Sequence, residues 1–138
     1  MPSQSLNSAT LAEGESLESP NGLLVDGGKL YVASWGFITD PATFGAKTPG
    51  HLYALDLKTK AKTLVATAPI GNLDGLVRTK NGDFVVSDWV AGKIFRIDTK
   101  GRVSLIGEGF QNSADIGLRD STLLVPEMSS NKLTAVAL

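Results

Sequence analysis

Apolar residues in this chain come in short runs separated by turn residues. Along the runs, inward and outward positions alternate: Leu52 and Ala54 against Tyr53 and Leu55, Ile94 and Arg96 against Phe95 and Ile97. Period-two alternation bounded by Gly, Asn and Asp predicts β-strands, and no window sustains the i, i+3, i+4, i+7 stripe of an amphipathic helix. Asp26-Gly27-Gly28 and Lys80-Asn81-Gly82-Asp83 each lie between two such runs and predict hairpin turns.

The runs repeat. Pro20–Val25, Leu73–Arg78 and Ala114–Leu118 form one set, and Leu30–Trp35, Phe84–Trp89 and Leu123–Met128 a second. His51–Asp56, Lys93–Asp98 and Lys132–Ala137 form a third, and Thr63–Ala66 matches Ser104–Gly107 as a fourth. Asp74 and Asp115 stand 41 residues apart, whereas Asn21 and Asp74 stand 53 apart. The excess lies in residues 36–50, a 15-residue insertion where the next unit has only residues 90–92. A unit of roughly 40 residues with four short strands, positions a to d, is the signature of a β-propeller blade.

The reading is therefore all-β, a partial β-propeller of about three four-stranded blades. Residues 1–18 hold an outer strand of a preceding blade, Ala9–Ala12, and a lead-in. Residues 19–70 form a blade with the 36–50 loop inserted, 71–110 a second, and 111–138 an incomplete third. Propellers usually have four to eight blades. This one is then either half of a six-bladed ring in a longer protein, or one of two copies that close a ring.

Composition narrows the chemistry. A net charge of −1 with dispersed lysines gives no nucleic-acid footprint. The absence of cysteine removes disulfides, thiolate metal sites and thiol nucleophiles. No apolar stretch reaches the length of a membrane span, and the opening residues lack a signal peptide. The compartment stays open between cytoplasmic and periplasmic or secreted.

In a blade meander, the start of strand a, the end of b and the start of c share one face of the ring. Asn21, Asp74 and Asp115 then converge near the axis, beside Ser34-Trp35, Asp88-Trp89, Glu127-Met128 and His51. Asn or Asp before Gly often serves a local turn, but these hairpins already have their own turns, which leaves Asn21 and Asp74 spare. Carboxylates and an amide oxygen suit a hard divalent cation. Trp35 and Trp89 read first as plugs between blades and Asp88 as a bracing acceptor. Glu127 reads first as an exposed strand-end residue and His51 as a rim residue. These, with Asp115, complete the substrate-pocket candidates. One histidine and no cysteine disfavour a zinc hydrolase, and no Ser-His pairing supports a triad.

With these residues in view, the chain resembles the gluconolactonase, senescence-marker-protein and luciferin-regenerating-enzyme-like family of six-bladed propellers. The resemblance is carried by "SPNGLLVDGGKLYVASWG" (19–36), "GNLDGLVRTKNGDFVVSDWVAGKIFRID" (71–98) and, less specifically, "NSADIGL" with "TLLVPEMSSNKLTAV". It covers about the C-terminal half of the family's ring. It implies a divalent cation, Ca2+ foremost, held by Asn21 and Asp74, with Asp74 also the catalytic base. The family's glutamate ligand and a further asparagine come from blades this chain does not contain. The function implied is metal-dependent hydrolysis of lactones or related small esters. The alternatives are a non-catalytic binding module and a fragment without independent activity. The partner expected is a small-molecule substrate, with no nucleic acid and no membrane, and a second copy of the chain would complete the ring.

Overall fold

The structure is a computed structural model that describes residues 6–138. Strands β1 (Pro20–Asp26), β2 (Lys29–Ser34), β3 (Gly36–Asp40), β4 (Gly45–Pro49), β5 (Leu52–Asp56) and β6 (Lys62–Leu64) are followed by β7 (Leu73–Arg78), β8 (Phe84–Asp88), β9 (Lys93–Ile97) and β10 (Val103–Gly107). The last three strands are β11 (Gly117–Arg119), β12 (Thr122–Glu127) and β13 (Lys132–Ala137). Single 3-10 turns at Glu15–Leu17 and Met128–Ser130 are the only helical segments described.

Three antiparallel meanders follow one another. The first blade orders β1-β2-β5-β6, the second β7-β8-β9-β10, and the third has three strands, β11-β12-β13. β1 packs on β7 and β7 on β11, so the first strand of each blade is the inner one. The expected three-blade partial propeller is what forms.

Alternation along the strands becomes alternation between blade interfaces. Ala33, Leu52 and Ala66 of the first blade meet Leu73, Leu76, Phe84, Val86 and Ile97 of the second. The intervening residues Val85 and Ile94 turn the other way, onto Ile116, Leu123 and Val125 of the third blade. The second blade has a neighbour sheet on each side, so both faces of its inner strands are apolar, which is why Phe84–Ser87 carries so few polar residues. At the outer face of the first blade, Val32, Tyr53 and Leu55 pack under Ala12, Leu17 and Leu30.

The turns follow the sequence. Gly27 and Gly28, at φ 56° and 77°, form the two-residue connection between Asp26 and Lys29. That pair of positive dihedrals selects glycine twice.

Two expectations are corrected. The 36–50 insertion is not a loop: β3 and β4 pair as an antiparallel hairpin, with irregular register between Gly36 and Asp40. Gly-Phe-Ile-Thr-Asp and Gly-Ala-Lys-Thr-Pro carry too few apolar residues to announce strands, yet each supplies the other with backbone partners. The Ala9–Ala12 strand does not form, and these residues run without regular structure. A strand exists only beside another, and no described strand flanks this segment.

Candidate functional site

Asn21 and Asp74 occupy the same kind of backbone irregularity. Pairing of β1 with β2 jumps from Pro20↔Ser34 to Gly22↔Ala33, so Asn21 is an extra residue. Pairing of β7 with β8 jumps from Leu73↔Asp88 to Leu76↔Val86, which puts Asp74 in a second bulge. Bulges re-aim side chains and recur beside functional sites. A Cβ built on Gly22 would lie 2.2 Å from the Asp74 carbonyl oxygen. Glycine after Asn21 is therefore what lets the inner strands of adjacent blades touch. Gly75 repeats the arrangement against Ile116 and Asp115, with clashes at 2.4 and 2.9 Å.

The carboxylate of Asp74 is half-buried. Burial first, and the facing Asp115 carboxylate second, push its carboxyl above the ordinary range, against an opposing hydrogen bond from Asn21. Asn21 Nδ2 also donates to the Leu73 carbonyl at 3.2 Å. The three inner-strand residues from three blades are thus electrostatically in contact, with Asp115 the most exposed of the ionisable pair.

Beside them opens a cleft of about 710 Å³. Its walls include Trp35, Phe44, Ile38, Trp89 and Met128, while Asn21, Asn72 and Asp74 supply polar groups. Trp35 lies 6.0 Å from Trp89 between ring centroids, and meets Phe44 edge-on at 6.3 Å. The indole N–H of Trp35 donates to the Phe44 carbonyl at 3.0 Å, tying the β3–β4 hairpin to the top of the first blade. Both tryptophans therefore wall the cleft as well as standing at the blade junction. Among the described residues, Asp74 is the one charged group in the lining.

Asp88 turns inward. Its carboxylate accepts hydrogen bonds from the Ala91 N–H at 2.9 Å and the Asn72 N–H at 3.3 Å, which braces the β8–β9 turn against the lead into β7. Glu127 is not the exposed residue expected: it is buried and accepts from the Gln111 N–H at 2.9 Å and the Thr134 hydroxyl at 2.5 Å. Lys132 adds an ion pair at 3.1 Å. Hydrogen bonds from Thr134 and then Gln111 hold its carboxyl below the usual range. His51 contacts Glu18 through Nδ1 at 2.7 Å, and Lys62 joins the same carboxylate at 2.9 Å. Burial opposes the charge on Glu18, but these two hydrogen bonds outweigh it and lower its pKa. None of Asp88, Asp115, Glu127 or His51 lines the cleft.

Met128 stands on the face expected for it and Ile38 and Phe44 come from the 36–50 insertion, whereas Asn72 is a wall residue the sequence did not single out. Asn112 does the same work one blade later, but it lies 40 residues on where the period is 41, so the two fall out of register in the sequence. Asn72 Nδ2 donates to the Trp35 carbonyl at 2.9 Å, and Asn112 Nδ2 to that of Trp89 at 3.1 Å.

As a cation site the donors fit in kind, since the oxygens of Asn21, Asp74 and Asp115 are hard and two carboxylates face each other without a countercharge. In number they fall short of the roughly six to eight oxygens calcium takes. Among the described residues, no group of three or more His, Cys, Asp or Glu is placed to hold a metal.

No protein-family model matches the chain, and no curated protein matches it. Solved structures do. Virginiamycin B lyase from Staphylococcus aureus superposes with a TM-score of 0.59 at 16% identity, over 87% of this chain and 41% of that one. The N-terminal domain of Nup159 gives 0.56 at 14%, over 87% and 28%. An auxiliary nutrient binding protein from Bacteroides thetaiotaomicron gives 0.56 at 14%, over 86% and 31%. The chain spans less than half the length of each of these three. Identities this low carry the fold and no more. What the chain shares with enzymes and binding proteins alike is the β-propeller architecture.

Proposed function

We propose that the cleft face hydrolyses lactones or related small neutral esters, with a divalent cation held by Asn21 and Asp74. The observation that carries this reading is Asp74: a half-buried carboxylate on a bulge, at the border of an aromatic-walled cleft, with its proton affinity raised. When bound, the cation would supply Lewis-acid polarisation of the ester carbonyl. Asp74 borders the cleft, where its carboxylate is placed to take a proton from water. Asn21 orients it by hydrogen bonding. Trp35, Phe44 and Trp89 offer ring faces and edges to the apolar part of the substrate. Among the described residues of the lining, Asp74 is the one charged group and the rest of the wall is largely apolar, which suits a small neutral substrate.

The test begins with metal-free protein, melted with and without calcium, for wild type and Asp74→Asn. The expected result is a rise in melting temperature for the wild type alone, with turnover on a lactone panel that the substitution abolishes. No calcium shift in the wild type would remove the cation from the reading. A second reading, a binding module without chemistry, is supported by the described residues bringing together no group of three His, Cys, Asp or Glu. Ligand binding to the cleft with no turnover would select it.

A further inference from the structure

The two ends of the blade row are complementary. On the outer face of the first blade, Leu23 and Val25 of β1 are 58% and 68% exposed, although their partners Val32 and Leu30 are covered by the segment that includes Ala12 and Leu17. The covering is therefore partial. It lies over the outer strands, and the inner strand is bare. At the other end, the third blade turns Leu123, Val125 and Val136 toward the second blade. Its opposite face shows Leu124 and Leu133, 45% and 85% exposed. This blade also has three strands where the other two have four, and the vacant position is beside β13.

The segment Ala9–Ala12 is the missing piece. In the repeat it aligns with Thr63–Ala66 and Ser104–Gly107, both fourth strands, yet it pairs with no strand among the described residues. Its last residue, Ala12, packs on the first blade, at the opposite end of the row from β13. Pairing within one chain is therefore blocked by the two blades between them. We propose that two copies of this chain close a six-bladed ring by exchange. The third blade of each copy packs on the first blade of the other, and residues 9–12 of each copy add as the fourth strand, antiparallel to the other's β13. The free edge of β13 supplies backbone partners, as in other strand-addition interfaces. The same head-to-tail contact made twice is closed by a two-fold axis. The exposed apolar faces at both ends are then buried together, and the central channel receives Asn21, Asp74 and Asp115 from both copies.

Pairing of Ala54 with Thr63 in the first blade sets the register, placing Ala9 of one copy opposite Ala135 of the other. The chain has no cysteine of its own. Sedimentation and light scattering of the whole chain should give a species of twice 14.5 kDa. Leu133→Asp, at a site the monomer leaves in solvent, should weaken the pair by at least about tenfold without lowering secondary structure. Ala9→Cys and Ala135→Cys variants, mixed and oxidised, should give a covalent dimer that neither gives alone. A monomer at all concentrations would overturn the proposal, leaving both faces to some other cover. So would a dimer indifferent to Leu133→Asp with no mixed cross-link, or an open-ended series of larger species.

Discussion

Replacing Gly22 with alanine tests whether the inner strands of neighbouring blades meet backbone to backbone. The added methyl would lie 2.2 Å from the Asp74 carbonyl oxygen and 3.3 Å from its carbon. That is roughly 1 Å short of ordinary nonbonded separation. Neither side can swing a flexible side chain away, because the obstacle is main chain held in a sheet. Overpacking of this kind costs about 1–3 kcal/mol, and a backbone obstacle puts Gly22→Ala near the top of that range. For a chain of 138 residues, an unfolding entropy of about 2.1 cal/mol/K per residue converts ~3 kcal/mol into a fall of roughly 10 °C. Gly75→Ala meets backbone at 2.4 Å and should fall nearly as far. Gly117→Ala is the internal control, since its methyl would find only the Leu124 Cβ at 4.0 Å. There, a less flexible unfolded chain should add about 0.4–1 kcal/mol. Scanning calorimetry on the three variants settles the matter. Melting temperatures within about 3 °C of one another would refute the close approach of the inner strands.

Asp74→Asn should stabilise the protein at neutral pH and not in acid. A carboxyl raised by folding penalises the charged native state, a penalty that grows as pH rises from 3.8 and is complete above the raised value. Melting wild type and variant from pH 3 to 8 checks this, and a constant gap would contradict it. Glu18→Gln should behave in the opposite sense, because the Glu18 pKa is lowered. Its loss should be full above the ordinary carboxyl pKa and vanish as pH falls through the depressed one, over the same melting series. Arg78→Ala should cost about 1–2 kcal/mol in urea titration, since Arg78 pairs with Asp26 at 2.8 Å and lies over the Phe84 ring at 4.5 Å. Lysine at that position should recover less than half, lacking the planar stack. Asp88→Ala should cost about 1–3 kcal/mol in the same assay, for it strands the amides of Asn72 and Ala91.

The blade pattern was legible because the inner and middle strands pack at the blade interfaces and are punctuated by glycine and asparagine turns. A period near 41 residues then exposed the register of Asn21 against Asp74. The bulges behind those two residues were not visible, since a bulge is a relation between two strands and leaves no mark on one. The hairpin over 36–50 was hidden for a similar reason: its Thr, Gly and Ala residues have little periodicity, and pairing alone makes them strands. Glu127 was misplaced because its hydrogen-bond partners, Thr134 and the Gln111 amide, come from a neighbouring strand and a loop. Composition at a strand end gives no hint that a carboxylate there is buried. Ala9–Ala12 shows the converse, a sequence fit for a strand whose partner the chain itself does not bring within reach.

The chain contains two tryptophans, and both stand in one place, their rings 6.0 Å apart at the junction of the first two blades. Its indole emission is therefore a local signal rather than a global one. A molecule entering the cleft changes that emission directly, and the coupled transitions of two tilted indoles leave a signature in circular dichroism that vanishes when the pair separates. The third blade carries no tryptophan and reaches the pair through Met128 and the Asn112 bond to the Trp89 carbonyl, so its opening would disturb the emission while leaving the indole pair itself intact. Comparing indole emission with backbone dichroism would thus resolve, in unlabelled protein, whether the blades come apart in order or all at once.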